Sequence, residues 1–113
     1  MAKVEITKSL FEEIEKKFKK QATEVFDLIE TVEHSARKGK ELGTVGGIVV
    51  KELKYEGFRF YFIADGHKLR YARERELVDL LLRFIRMSDK KHQQKTIEEI
   101  KQVLRTIGPE GFK

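Results

Sequence analysis

Two dipeptides, Glu56-Gly57 and Asp65-Gly66, constrain the fold of this chain more than any other feature, because each stands beside β-rich runs as a two-residue hairpin turn. A two-residue turn fixes the register of the strands it joins. Counting outward from Glu56-Gly57 pairs Tyr55 with Phe58, Lys54 with Arg59, Leu53 with Phe60 and Glu52 with Tyr61, in strands over 48–55 and 58–64. Counting outward from Asp65-Gly66 predicts a third strand over 67–72, with Phe62 opposite Leu69, Tyr61 opposite Arg70 and Phe60 opposite Tyr71. Side chains alternate between faces, so one face gathers Leu53, Tyr55, Phe58, Phe60, Phe62, Leu69 and Tyr71 and is expected to be core. The other gathers Lys54, Arg59, Tyr61, Lys68 and Arg70, with Glu52 as its only acid. Lys54 directly across from Arg59 is a like-charge pair that stability alone does not select. That face is either a solvated outer surface or one built to meet an anion.

The flanking segments supply the helices that such a sheet needs. Val4 and Ile6 alternate with Lys3 and Glu5, which predicts a short N-terminal strand. Ser9 with Glu12 has the capping-box pattern, and Leu10, Ile14, Phe18, Ala22, Val25, Ile29 and Val32 follow at helical spacing almost to Gly39. This is one long helix or a hairpin of two, bent at Lys19-Lys20-Gln21. Glu12, Glu13 and Glu15 each precede a lysine by four residues and read as solvated helix pairs rather than catalytic acids. Gly39, Gly43, Gly46 and Gly47 read as a connector, since Gly39-Lys40-Glu41 lacks the Ser or Thr and the preceding strand of a phosphate-binding Walker loop. Residues 74–87 fit a helix through Leu77, Leu80, Leu81 and Phe84, and 80–87 fit a buried strand equally well. Ser88 reads as the N-cap of a C-terminal helix marked by Ile97, Ile100, Val103, Leu104 and Ile107, which Gly108-Pro109 ends. The whole, residues 1–113, is expected to be one α+β domain: N-terminal strand, helical hairpin, twisted antiparallel sheet and C-terminal helix.

Charge narrows the partner. The chain carries 24 Lys and Arg against 19 Asp and Glu, a net +5. Arg83, Arg86, Lys90, Lys91 and Lys95 face the single acid Asp89 between residues 83 and 95, so most of that excess is local and favours a phosphate-bearing partner. The absence of cysteine excludes a disulfide framework, a thiolate nucleophile and Cys-based metal sites. Residues 1–5 lack a signal-peptide core and no apolar run approaches the ~18 residues of a membrane span, so a cytoplasmic protein without a membrane partner is expected. A composition rich in Lys and Glu is that of thermophile proteins. His34, His67 and His92 are not at metal-ligand spacing, and no metal or cofactor is expected. The remaining chemistry is cationic: Arg and Lys clamps for a phosphorane-like transition state, with His92 either an ordinary exposed helix histidine or a proton carrier.

Gly39-Lys40-Glu41-Leu42, Lys51-Glu52-Leu53-Lys54, Gly57-Phe58-Arg59-Phe60-Tyr61-Phe62 and Leu82-Arg83-Phe84-Ile85-Arg86-Met87-Ser88-Asp89-Lys90-Lys91 together resemble the RelE/ParE superfamily of small toxins. The resemblance implies that family's strand, helical hairpin, antiparallel sheet and C-terminal helix. It implies one of two activities: a RelE-type, metal-independent endonuclease that cuts messenger RNA in the ribosome by attack of a ribose 2′-hydroxyl on the adjacent phosphate, or a ParE-type protein directed at DNA gyrase. A non-enzymatic nucleic-acid-binding module on the same fold is the remaining alternative. By similarity Arg59 corresponds to the strand arginine at the scissile phosphate, Arg86 to a later arginine near it, and His92 to the Tyr or His that assists proton transfer. Lys54, Lys68, Arg70, Arg83, Lys90 and Lys91 would then bind RNA, and a cognate antitoxin, the ribosome and mRNA would be the partners. The chain departs from the pattern where RelE-type nucleases carry catalytic lysines, which are Val50 and Glu52 here, and in an insertion over 67–76.

Overall fold

A computed structural model describes residues 2–113; Met1 lies outside them. The described chain is α+β, with elements in the order β1 (Lys3–Ile6), α1 (Lys8–Phe18), α2 (Ala22–Glu30), β2 (Lys40–Val45), β3 (Ile48–Tyr55), β4 (Phe58–Asp65), α3 (Gly66–Tyr71), β5 (Leu81–Asp89) and α4 (Gln93–Thr106). The five strands form one sheet in the order β1-β5-β4-β3-β2, in which only the β1–β5 pairing is parallel. Among the described residues no helix is long and apolar enough to cross a membrane.

Local chemistry explains where the elements begin and end. Thr7, not Ser9, caps α1, its hydroxyl accepting the Leu10 amide, while Ser9 is drawn to the Lys113 carbonyl. Lys19 adopts φ 51° and breaks the helical stripe, a single tight turn follows, and α2 folds back so that Phe11 stacks on Phe26 at 4.7 Å. That stacking identifies a hairpin, because residues fifteen apart on one straight helix lie about 22 Å apart.

The β3–β4 register is the one counted from Glu56-Gly57, including Lys54 opposite Arg59. The glycine segment is no mere connector. Lys40–Val45 is the edge strand β2, joined to β3 through Gly46 and Gly47, whose φ angles of 56° and 81° suit a two-residue hairpin turn. The third strand over 67–72 is not formed. Asp65 instead accepts the Lys68 amide and caps α3, so the second turn signal is a helix start. The partner of β4 is β5, which sets Phe60 opposite Met87, Tyr61 opposite Arg86 and Phe62 opposite Phe84. Residues 74–79 form a 3-10 turn and 81–89 the strand, which settles the ambiguous segment. Ser88 accordingly lies inside β5, and α4 begins after His92.

Two cores result, one on each face of the sheet. Leu53, Phe60, Phe62, Leu82 and Phe84 pack against Leu10, Ile14, Val25 and Ile29 of the helical hairpin. Leu69 joins this core from α3, whereas Tyr71 is 73% exposed and belongs to neither. On the other face Val50, Tyr61, Ile63 and Ile85 pack beneath Ile97, Ile100 and Leu104 of α4 and Phe112 of the tail. The expected open cationic face is therefore covered by the C-terminal helix.

Candidate active site

The cover changes what Arg59 does. Its side chain is 9% exposed and its Nε lies 3.2 Å from an oxygen of Glu52, whose side chain is 1% exposed. Neither Glu52 oxygen nor Arg59 Nε makes a well-aligned hydrogen bond within the protein, and Arg59 Nη1 donates to the Gly57 carbonyl at 3.3 Å. The expectation that Arg59 stands open to a scissile phosphate is corrected: its charge is turned inward and balanced by Glu52. Val50 is likewise buried in the second core. Lys51 between them points to the opposite face, where it donates to the Arg37 carbonyl at 2.8 Å; burial lowers its pKa, partly offset by Glu41.

The other candidates separate into two groups along the strands. At the end of the sheet where β4 begins and β5 finishes, Phe58 pairs with Asp89 and Arg59 with Ser88. Here Asp89 accepts hydrogen bonds from the His92 backbone amide at 2.8 Å and meets His92 Nδ1 at 2.8 Å. Those two bonds hold the Asp89 carboxyl below the usual carboxylate range. The pair lines a cleft of about 240 Å³, walled by Phe58, Met87, Ser88 and Thr96 and closed on the helical side by Glu13 and Lys17 of α1. Lys17 Nζ sits 5.3 Å over the Phe58 ring. Lys90 and Lys91 continue from Asp89 as exposed side chains, and Lys54 is exposed on β3 beside Arg59. Ser88 is fixed from below by the Tyr61 hydroxyl at 2.8 Å, and burial pushes the Tyr61 phenol up despite that bond. Arg86 is half-buried, donates to the Ile85 carbonyl at 2.8 Å and lies 5.0 Å over the Phe112 ring.

The second group does not share this place. Lys68 and Arg70 follow the other end of β4, one strand length and roughly 24 Å away at ~3.4 Å per residue. Arg70 is paired with Glu41 and bonded to Thr44. Arg83 sits opposite Ile63 toward that same end, bonded to Glu5 at 2.8 Å and to the Pro109 carbonyl at 3.0 Å. Of the basic residues singled out from sequence, the structure brings Lys54, Lys90 and Lys91 to the end that holds His92, and keeps Lys68, Arg70 and Arg83 apart from it.

Glu13 was read as a solvated helix residue, and it is exposed on α1 as expected, while its side chain also borders the cleft. Partial burial of the carboxyl there raises its pKa, while Arg86 and Lys17 pull it back down. Helical periodicity carried no sign of this, because Glu12, Glu13 and Glu15 have the same spacing to a lysine and only one of them faces the strand ends. Asp89 was visible in sequence only as the lone acid in a basic run. The site thus assembles one histidine–carboxylate pair, one carboxyl of raised pKa, two hydroxyls and a cation at the mouth of a polar cleft. Such a set can pass protons and hold an anion. Comparison with protein-family models, with curated proteins and with solved structures returns no match.

Proposed function

We propose that the chain is a RelE-like toxin, a cytoplasmic, metal-independent endonuclease that cuts mRNA on the ribosome and is neutralised by a cognate antitoxin. The observation that carries this reading is the His92–Asp89 pair set in a cleft beside Lys17, with Lys90 and Lys91 adjoining. A phosphodiester entering the cleft meets a cation and a histidine whose Nδ1 is occupied by Asp89, so that Nε2 is the nitrogen left for proton transfer. Asp89 then orients the ring, as general acid catalysis needs. The element order and the sequence resemblance add support. In this reading Arg59 positions the strand end by its pair with Glu52, and Lys17 takes the part of phosphate clamp.

A second reading has an observation of its own. Val50 and Glu52 stand where RelE-type nucleases carry lysines, and Arg59 is turned inward. Both favour a non-cleaving domain that binds gyrase or nucleic acid through the same cationic end. Growth arrest on expression separates the two. The nuclease reading expects His92→Gln to lose growth arrest while remaining folded; a folded His92→Gln chain that arrests growth as well as the wild type favours the binder.

A further inference from the structure

Resting on the nuclease reading, we infer that Glu13 is a second catalytic residue, so that one cleft carries a proton acceptor on α1 and a proton donor, His92, where α4 begins. Three observations converge. Glu13 and His92 line the same cleft of about 240 Å³ from opposite elements, α1 on one side and the start of α4 on the other. The one other carboxylate lining the cleft, Asp89, is committed to the His92 amide and ring, which leaves Glu13 as the carboxyl there without a partner. Glu13 has no hydrogen-bond partner or ion pair within the described residues, although its i+4 neighbour is Lys17, so its oxygens are free to meet a ligand. Burial raises its carboxyl pKa, which makes it a better base than an ordinary surface glutamate.

The chemistry closes without a further reagent. The Glu13 carboxylate takes the proton of the ribose 2′-hydroxyl as that oxygen bonds to phosphorus. The bond from phosphorus to O5′ breaks with its electron pair left on O5′, which takes the Nε2 proton of the His92 imidazolium. The products are a 2′,3′-cyclic phosphate and a free 5′-hydroxyl, and water returns the proton from Glu13 to His92. Lys17 bears on the phosphate between them. The charged groups acting on Glu13 are Lys17 on its own helix and Arg86 on β5, and Asp89 and His92 line the same cleft. Arg86 and Lys17 oppose the effect of burial on Glu13 and favour the carboxylate, the form a base must have.

Two readouts test this. In the folded protein alone, NMR titration of the Glu13 carboxyl should show a midpoint above the ordinary glutamate value of ~4.3, since its burial at the cleft disfavours the charged form. On mRNA-programmed ribosomes, Glu13→Gln should lower the cutting rate by about 10²–10⁴-fold and remove the acid limb of its pH profile, while His92→Gln removes the basic limb. A Glu13 midpoint no higher than the ordinary value, or an acid limb that survives in Glu13→Gln, overturns the assignment of Glu13. A wild-type chain that cuts no message at any pH overturns the nuclease reading itself, and the role of Glu13 falls with it; the wild-type control tells these failures apart.

Discussion

Removing Arg59 is expected to unfold much of what holds this sheet together, although the residue is charged and sits opposite a lysine. The guanidinium and the Glu52 carboxylate lie 3.2 Å apart with side chains 9% and 1% exposed, so Arg59→Ala leaves a buried carboxylate without its counter-ion. Breaking a buried pair by deleting one partner costs roughly 3–5 kcal/mol. Relief of the Lys54 repulsion offsets only a fraction of that, about 0.2–1 kcal/mol on the scale of cross-strand pairs. For 113 residues the unfolding entropy is about 0.24 kcal/mol/K, so the melting temperature should fall by roughly 10–20 °C. The double variant Arg59→Met/Glu52→Leu removes both charges and should recover most of this, within about 1 kcal/mol of wild type or above it. Thermal melts followed by circular dichroism, with urea unfolding for the free energies, read both. A fall below about 4 °C for Arg59→Ala would mean that the pair is solvated and α4 does not cover it.

Three further outcomes follow from the packing. Phe60→Ala, at the centre of the core under the helical hairpin, should lose roughly 3–5 kcal/mol in urea unfolding, and a loss below ~1 kcal/mol contradicts its burial. Gly39 has φ 96° and a Cβ there would meet the Glu52 carbonyl at 2.8 Å, so Gly39→Ala should destabilise by roughly 1–3 kcal/mol even though the position is exposed. The Tyr55 hydroxyl donates to Glu24 at 2.8 Å, a bond to the neutral phenol that pushes its pKa up to about 12. Ultraviolet titration should therefore show two of the three tyrosines, Tyr55 and Tyr61, ionising late, and Glu24→Gln should return only Tyr55 toward ~10; an unchanged titration in that variant refutes the bond.

How much of this was legible beforehand depended on whether the signal was local. Glu56-Gly57 specified its hairpin to the residue because a two-residue loop leaves one register, and the inward phenylalanines reinforced it. Asp65-Gly66 carried a signal with two meanings, since an Asp before a helix and an Asp in a turn are the same dipeptide; the choice was made by Leu69, which reaches the core from a helical turn. The edge strand β2 hid behind its glycines, which serve its bulge and turn. The second core was missed for a non-local reason. Val50, Tyr61, Ile63 and Ile85 are apolar at outward positions and the α4 stripe needed a surface to cover, yet only the register of β5 places those positions together. The site inherits this division: His92 was visible as a lone histidine in a basic run, whereas Glu13 and Lys17 reach it only through the packing of α1.

The most direct test of the nuclease proposal is the chemistry of the cut ends. Purified chain is incubated with ribosomes halted on a defined message, in the magnesium that keeps them assembled, and the ends of any fragments are analysed. Cleavage that yields 2′,3′-cyclic phosphate and 5′-hydroxyl ends, as direct attack by the 2′-hydroxyl must, and is lost in the folded His92→Gln variant is the expected result. Intact message, 3′-hydroxyl and 5′-phosphate ends, or equal cutting by the folded His92→Gln variant would contradict it.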